Sequence, residues 1–127
     1  MTKQYVFDTG ALISAERGKA RAARFLQLVR MGQARVIIPM PVIAEWWRGR
    51  TDVWEEILAA GQVSSSLDAT KSAGVALAHL KGGGSKLTID AIVMATAALN
   101  DAIVVTGDPR DFERLSEHFP GVRVVSA

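Results

Sequence analysis

The chain has 127 residues, the length of one domain that can bury a core of its own. It contains no cysteine, which excludes disulfides, thiol catalysis and cysteine-bound zinc, and its two histidines are too few for a histidine-rich zinc site. A bound metal would have to be held by carboxylates, which favour a hard cation such as Mg²⁺ or Mn²⁺. Fifteen basic and thirteen acidic residues give a net charge of +2, too small to indicate a nucleic-acid partner by itself.

Neither the N-terminus nor the apolar segments predict a membrane protein. The first residues, MTKQ, are not followed by an apolar stretch of signal-peptide length. The most apolar segments, VIIPMPVIA and AIVMATAAL, are too short to span a bilayer. We therefore expect one cytoplasmic domain over residues 1–127, with no membrane partner.

The first half of the chain alternates strand and helix patterns. QYVF is a short apolar strand, followed by ALISAE and by KARAARFLQLVRMG, whose apolar residues recur at helical spacing. ARVIIP is a β-branched strand. PVIAEWWRG, with Pro41 in its first turn, and DVWEEILAAG, with Asp52 as a cap, are predicted helices.

The second half continues the alternation. QVSSS is a short strand, DATKSAGVALAHLKGGG a helix that ends in glycines, and LTIDAIVMATAALN a helix so apolar that it must be buried. GGGSK, at residues 82–86, follows a helix instead of a strand, so it predicts a flexible connection and not a phosphate-binding loop. AIVVTG is a buried strand, PRDFERLSEHF an amphipathic helix and VRVVS a last strand. The pattern predicts an α/β fold: a parallel sheet of about five strands flanked by helices on both faces.

The stretch VFDTGAL, at residues 6–12, contains the Asp-Thr-Gly-Ala of an aspartic protease loop. Such a protease is almost entirely β and needs further strands after this motif. About fifty residues of mostly helical pattern follow here, as the sequence shows. The protease interpretation is therefore rejected.

Four acids stand in apolar surroundings. Asp8 ends the first strand, Asp90 lies about one turn inside the apolar helix, and Asp108 follows AIVVT by two residues. Glu45, within VIAEWW, has little room for solvent. The remaining acids, including Glu16, lie in polar, cap-like or amphipathic settings. Ionised carboxylates in apolar settings are costly unless they are paired or bind a cation.

Simpler explanations exist for single members of this group. Asp8 is placed to cap the following helix, Asp90 to complement a helix N-terminus, and Asp108, before Pro109, to form a turn. Topology favours a joint role, because ligands bind at the carboxyl ends of parallel strands where the strand order reverses. If the first and fourth strands are neighbours, Asp8 and Asp108 converge there. Thr106 then joins them as a hydroxyl donor or by holding a water molecule; otherwise it is an ordinary strand threonine.

The order FDTGALI, PVIAEWWRG, TIDAIVMATAAL and VVTGDPRDFERL resembles the PIN-domain ribonucleases, and among them the VapC toxins of bacterial type II toxin–antitoxin systems. The resemblance covers nearly the whole chain and implies a parallel sheet flanked by helices. It aligns Asp8, Glu45, Asp90 and Asp108 with the family's acidic quartet and Thr106 with its hydroxyl position. Many relatives have Asn at the position of Asp108. Asp111 aligns with an acid that often follows the quartet, in a supporting role.

The resemblance implies a metal-dependent endoribonuclease. One or two Mg²⁺ or Mn²⁺ ions are expected on Asp8, Asp90 and Asp108, with Glu45 either a further ligand or the group that orients the attacking water. The substrate is expected to be single-stranded or loop RNA, cut to leave a 5′-phosphate. The implied partners are a VapB-type antitoxin and a second copy of the chain, as a homodimer.

Basic and aromatic residues are candidates for contacts with these partners. Residues that could hold an RNA backbone near the acids are Arg17, Lys19, Arg21, Arg24, Arg48, Arg50 and Arg110, although each also suits a solvated helix face. With the four site acids neutralised by metal, fifteen basic residues face nine acidic ones, a net charge of +6. Trp46, Trp47 and Trp54 are expected to be divided between the core and a partner interface.

Two other functions remain open at this point. One is a PIN-like domain that binds RNA or a partner without cutting, which the full acidic quartet argues against. The other is a different Mg²⁺-dependent phosphoryl-transfer enzyme. A phosphatase of the Asp-x-Asp type would need an acid where the chain has Gly10.

Overall fold

Strands and helices alternate along the chain in the computed structural model, which describes residues 2–49, 52–80 and 84–127. The strands are β1 (Lys3–Phe7), β2 (Ala34–Pro39), β3 (Gln62–Ser64), β4 (Ile103–Thr106) and β5 (Val124–Ser126). The helices are α1 (Thr9–Glu16), α2 (Ala20–Arg30), α3 (Met40–Trp46), α4 (Val53–Ala60), α5 (Leu67–Ala78), α6 (Thr88–Asn100) and α7 (Glu113–Ser116). Short 3₁₀ turns at Gly84–Leu87 and Pro109–Phe112 precede α6 and α7.

The strands form one parallel sheet in the order β3-β2-β1-β4-β5. The predicted parallel α/β fold is therefore confirmed. Strands β2 and β3 follow β1 on one side of the sheet, whereas β4 and β5 lie on the other side of β1. Phe7 pairs with Val105 across this point of reversal, so the carboxyl ends of β1 and β4 lie side by side. This arrangement forms the crevice in which open parallel sheets place their ligands.

Both faces of the central strands are buried. Val6 and Phe7 point to opposite faces of β1 because they are adjacent in a strand, and both side chains are fully buried. Tyr5 and Phe7 share the face that packs on Phe25 of α2, with ring centroids 4.8 and 6.0 Å apart, respectively. Burying each such side chain stabilises the fold by about 1.5–3 kcal/mol. The strand end that carries Asp8 is therefore rigidly held.

The boundaries of three predicted segments differ. Helix α3 ends at Trp46, short of the predicted end at Gly49, and Gly49 adopts a φ of 82°. The segment PRDFERLSEHF begins as a 3₁₀ turn because Asp108 caps it through its side chain, and only Glu113–Ser116 are α-helical. Of the expected flexible connection GGGSK, residues 82 and 83 lie outside the described residues, and the next four form a 3₁₀ turn.

Candidate active site

Asp8 lies at the reversal point, held by both neighbouring elements. Its Oδ1 accepts a hydrogen bond from the backbone N–H of Ala11 at 2.8 Å. Asp8 therefore caps α1, which confirms the capping role given above as an alternative. Its Oδ2 accepts a hydrogen bond from the Thr106 hydroxyl at 2.5 Å. The Thr106 oxygen in turn accepts the Asp108 N–H at 3.2 Å. Buried Thr106 thus fixes the Asp8 carboxylate from the end of β4.

A close contact between two glycines holds α1 against the loop after β4. A Cβ on Gly10 would lie 2.8 Å from the backbone nitrogen of Gly107, nearer than real Cβ atoms approach backbone. The third residue of the Asp-Thr-Gly motif therefore needs to be glycine for packing. This requirement explains the motif without protease chemistry, and no local pattern in the sequence indicated it.

Asp90 projects from the first turn of α6 toward the same place. Its pKa is raised to about 6, first by burial and then by the charges of Asp8, Asp111 and Glu45, in that order of importance. Burial also raises the pKa of Asp8, with smaller contributions from Asp111 and Glu45, against the lowering effect of the hydrogen bonds from Thr106 and Ala11. These four carboxylates, Asp8, Glu45, Asp90 and Asp111, are called the acidic cluster below.

Glu45 belongs to the acidic cluster but is exposed, so the expected exclusion of solvent was wrong. Neighbouring residues of a helix point about 100° apart, and the adjacent Trp46 takes the buried direction. The Glu45 Oε1 accepts a hydrogen bond from the Thr9 hydroxyl at 2.6 Å. Asp8 is therefore bonded to Thr106 of β4, and the next residue, Thr9, is bonded to Glu45 of α3.

Asp108, by contrast, is not among the charges that raise the pKa values of Asp8 and Asp90. The Arg110 side chain donates two hydrogen bonds to its carboxylate, at 3.1 and 3.0 Å, and the Arg110 N–H donates a third at 3.0 Å. These bonds hold the pKa of Asp108 below its usual range. The structure thus brings together three of the four predicted acids and Asp111, and pairs Asp108 with Arg110 instead.

Glu16, grouped with the solvated acids on sequence alone, has a specific role in the structure. Its two carboxylate oxygens accept hydrogen bonds from the indole N–H groups of Trp46, at 3.2 Å, and Trp54, at 2.5 Å. Both tryptophans are buried, whereas Trp47 is half-buried against them. The expectation that some tryptophans are core is confirmed for Trp46 and Trp54. Indole donors need partners when buried, and this is the signal that could have revealed Glu16.

The predicted basic residues lie on the surface. Arg17, Lys19, Arg21, Arg24, Arg48 and Arg110 are exposed, and Arg50 lies outside the described residues. The Arg48 guanidinium donates hydrogen bonds to the carbonyls of Ala44 and Trp47, which places a positive charge beside the helix that carries Glu45. Arg110 lies beside Asp111 as well as Asp108.

The acidic cluster suits a hard divalent cation. Burial and the neighbouring carboxylates raise the pKa values of Asp8 and Asp90, and a cation bound there would reverse that effect. Within residues 2–49, 52–80 and 84–127, no three acidic or histidine side chains lie close enough to coordinate one ion together. Mg²⁺ keeps several waters and takes one or two carboxylates directly, which fits this looser spacing. No described helix is long and apolar enough to cross a membrane.

Several solved structures share the fold. VapBC2 of Rickettsia felis, crystallised with a DNA fragment from its promoter, matches with a TM-score of 0.71 at 15% identity, covering 98% of each chain. DNA-bound VapBC of Salmonella typhimurium matches with a TM-score of 0.65 at 22% identity, covering 99% of this chain and 98% of that one. A toxin–antitoxin complex of Klebsiella pneumoniae gives a TM-score of 0.64 at 21% identity and covers 95% of each chain.

Sequence comparison gives the family directly. No curated protein sequence matches the chain significantly. The family model of the PIN domain, however, matches residues 5–118, which include every residue of the acidic cluster. The protein therefore belongs to the PIN domain family.

Proposed function

We propose that this PIN domain is a metal-dependent endoribonuclease and the toxin of a type II toxin–antitoxin module. The observation that carries the proposal is the acidic cluster at the carboxyl ends of β1 and β4, where burial and mutual repulsion raise the pKa values of Asp8 and Asp90. Such a cluster is costly to the fold and is of use when it binds a cation.

Asp8 and Asp90 are the proposed direct ligands of Mg²⁺ or Mn²⁺, since they are the more buried carboxylates of the cluster. Asp111 and Glu45 are placed to bind its coordinated waters or to complete its shell. Asp108 is the fourth ligand predicted from sequence, and it would have to leave Arg110 to serve as one. When bound, the cation lowers the pKa of a water molecule and offsets charge on the scissile phosphate.

The chain's own residues contribute positioning and proton control. The Thr106 hydroxyl and the Ala11 N–H fix both oxygens of Asp8, so its orientation is set before substrate arrives. Exposed Glu45 is suited to accept a proton from the attacking water, with Thr9 fixing one of its oxygens. Water adds to phosphorus and gives its proton to Glu45, while the bond to the 3′-oxygen breaks and that oxygen takes a proton from solvent. The products carry a 5′-phosphate and a 3′-hydroxyl.

An acidic site repels the RNA backbone unless basic groups hold it. Arg48 and Arg110 are exposed basic residues next to members of the cluster, and both are proposed to contact phosphates. The RNA is proposed to be single-stranded from the family resemblance.

A VapB-type antitoxin is the proposed partner, supported by three structural matches that are toxin–antitoxin complexes. Half-buried Trp47 offers aromatic surface for such a contact. A homodimer acting in the cytoplasm is proposed from the family resemblance.

The test is expression of the chain in a bacterial host, with new 5′ ends mapped in total RNA. Wild type is expected to arrest growth and create 5′ ends, whereas Asp8→Asn and Asp90→Asn do neither. Exposed Asp68, on α5, supplies the control, because Asp68→Asn makes the same chemical change away from the cluster. Full arrest by folded Asp90→Asn protein would refute the nuclease and favour a PIN-like binding domain without cleavage.

A further inference from the structure

Helix α1 is joined to α3 at both of its ends. Its first residue, Thr9, donates a hydrogen bond to Glu45 at 2.6 Å. Its last residue, Glu16, accepts a hydrogen bond from the indole of Trp46 at 3.2 Å. Glu45 and Trp46 are consecutive in α3, so two neighbouring residues of one helix are bonded to opposite ends of another.

This arrangement fixes the rotation of α3 about its own axis. The two anchoring residues of α1 are about 10 Å apart along the helix, and the two side chains of α3 leave their helix about 100° apart. Turning α3 to move Glu45 away from the cluster therefore pulls Trp46 from Glu16. One bond cannot be changed without straining the other.

Glu16 also connects α1 to α4. Its second oxygen accepts the indole N–H of Trp54, and the rings of Trp46 and Trp54 lie 5.2 Å apart. Both indoles are buried, so each N–H needs an acceptor, and one carboxylate supplies both. The Glu16 carboxylate thus holds Trp46 from two directions, by its own bond and by the ring that packs against it.

We infer that Glu16 is a positioning residue for Glu45. By binding the Trp46 indole it sets the orientation of α3, and thereby the distance of the Glu45 carboxylate from Asp8 and Asp90. This inference rests on the proposed nuclease activity for its catalytic consequence, although the orientation of Glu45 can be measured without it.

Glu16→Gln tests the inference, because the amide replaces one of the two acceptor oxygens with an NH₂ group, which would face an indole N–H and cannot accept its hydrogen bond. With an RNA oligonucleotide that contains the mapped cut sequence, kcat is expected to fall about 10-fold while KM changes little. Adding Glu16→Gln to Glu45→Gln is expected to cause no further loss, since the effect passes through Glu45. Glu117→Gln, at an exposed glutamate after α7, is the matched control and is expected to behave as wild type.

Two tryptophan variants separate positioning from general stability. Trp46→Phe removes the N–H that joins α3 to α1 and is expected to lower kcat as Glu16→Gln does. Trp54→Phe leaves that bond in place and is expected to lower kcat far less. Equal losses from both substitutions would overturn the inference and assign Glu16 a purely structural role.

A nuclear magnetic resonance measurement supplies a readout independent of activity. In Glu16→Gln the ¹³C signal of the Glu45 carboxyl is expected to shift, and in Glu117→Gln it is expected to stay in place. If wild type cuts no RNA but the Glu45 signal shifts, the nuclease proposal fails and the positioning stands. If the signal and kcat both stay unchanged in Glu16→Gln and in Trp46→Phe, the positioning is wrong.

Discussion

The Asp90 carboxyl keeps its proton up to about pH 6, because it is buried beside other carboxylates. A metal ligand must be ionised, and an acid is ionised above its pKa. We therefore expect Mn²⁺ affinity to rise with pH by at least about tenfold per unit below pH 6, since Asp8, the second proposed ligand, also has a raised pKa. Calorimetric titrations at several pH values from 5 to 8 measure this dependence. An affinity independent of pH would show that Asp90 does not bind the ion, and Asp68→Asn should retain the wild-type profile.

Asp108 and Asp90 are both expected ligands from sequence, but the structure distinguishes them. Arg110 neutralises Asp108 outside the cluster, whereas Asp90 interacts with Asp8, Asp111 and Glu45. We expect Asp90→Asn to reduce RNA cleavage by about 100-fold or more, as loss of a group at the reacting centre does. Asp108→Asn should reduce it by about 10-fold or less. The initial cleavage rates of the two folded variants show whether Asp108 acts as a metal ligand. Equal losses would mean that Asp108 binds the metal as Asp90 does.

The sequence predicted Asp8, Glu45, Asp90 and Thr106 from their apolar settings and their place in the motifs. Asp111 was predicted only in a supporting role, through the family resemblance, because an acid in an amphipathic segment has no pattern that sets it apart from a solvated one. The sequence did not indicate the bonds between Glu16 and the tryptophans either, since they join residues 30 and 38 positions apart. Side-chain pairings across such separations depend on packing that local patterns do not contain.

Helix α1 and the loop after β4 approach each other through Gly10 and Gly107. Gly10→Ala would push that loop, and with it Thr106, away from Asp8. We expect this substitution to lower the free energy of unfolding by about 1–3 kcal/mol, a typical cost of overpacking. Denaturant unfolding followed by tryptophan fluorescence gives the value.

Gly74→Ala is the matched control for Gly10→Ala, because it makes the same substitution inside another helix. Gly74 lies inside α5 with no heavy atom within 4 Å of an added Cβ. There the same substitution should stabilise the chain by about 0.5–1 kcal/mol, because alanine favours the helix. Similar effects from both substitutions would mean that Gly10 and Gly107 do not approach each other tightly in solution.

The strands and helices themselves were largely predictable, since hydrophobic periodicity and Gly and Pro positions carry local information. The convergence of Asp8 and Asp108 was predicted on the condition that β1 and β4 are neighbours. The strands are neighbours, but the Asp108 carboxylate pairs with Arg110 instead of joining the acidic cluster. The ends of α3 and the division of the last helix were not predicted. They depend on caps and on side-chain bonds such as that of Asp108 to the N–H of Arg110.

As the proposed nuclease, the molecule as a whole would have to hold a polyanion beside an acidic cluster. With its site acids neutralised, fifteen basic residues face nine acidic ones, a net charge of +6 that favours RNA. We expect the double variant Arg48→Gln with Arg110→Gln to raise KM for RNA. The slope of log affinity against log salt should also flatten by about 0.7 for each phosphate that the variant no longer binds.

The control for this prediction removes the same charge elsewhere. Arg30, at the end of α2, and Lys71, on α5, are exposed, so Arg30→Gln with Lys71→Gln leaves the residues beside the cluster intact. If the two double variants weaken binding equally, RNA is attracted by overall charge and not by Arg48 and Arg110.

The central claim is that carboxylate-bound divalent metal is needed for RNA cleavage by this chain. The most direct measurement is cleavage of purified total RNA by protein stripped with a chelator, before and after Mg²⁺ or Mn²⁺ is restored. We predict no cleavage without metal, cleavage by wild type once metal is added, and none by Asp90→Asn of equal melting temperature. Cleavage in excess chelator, or equal cleavage by Asp90→Asn, would contradict the claim.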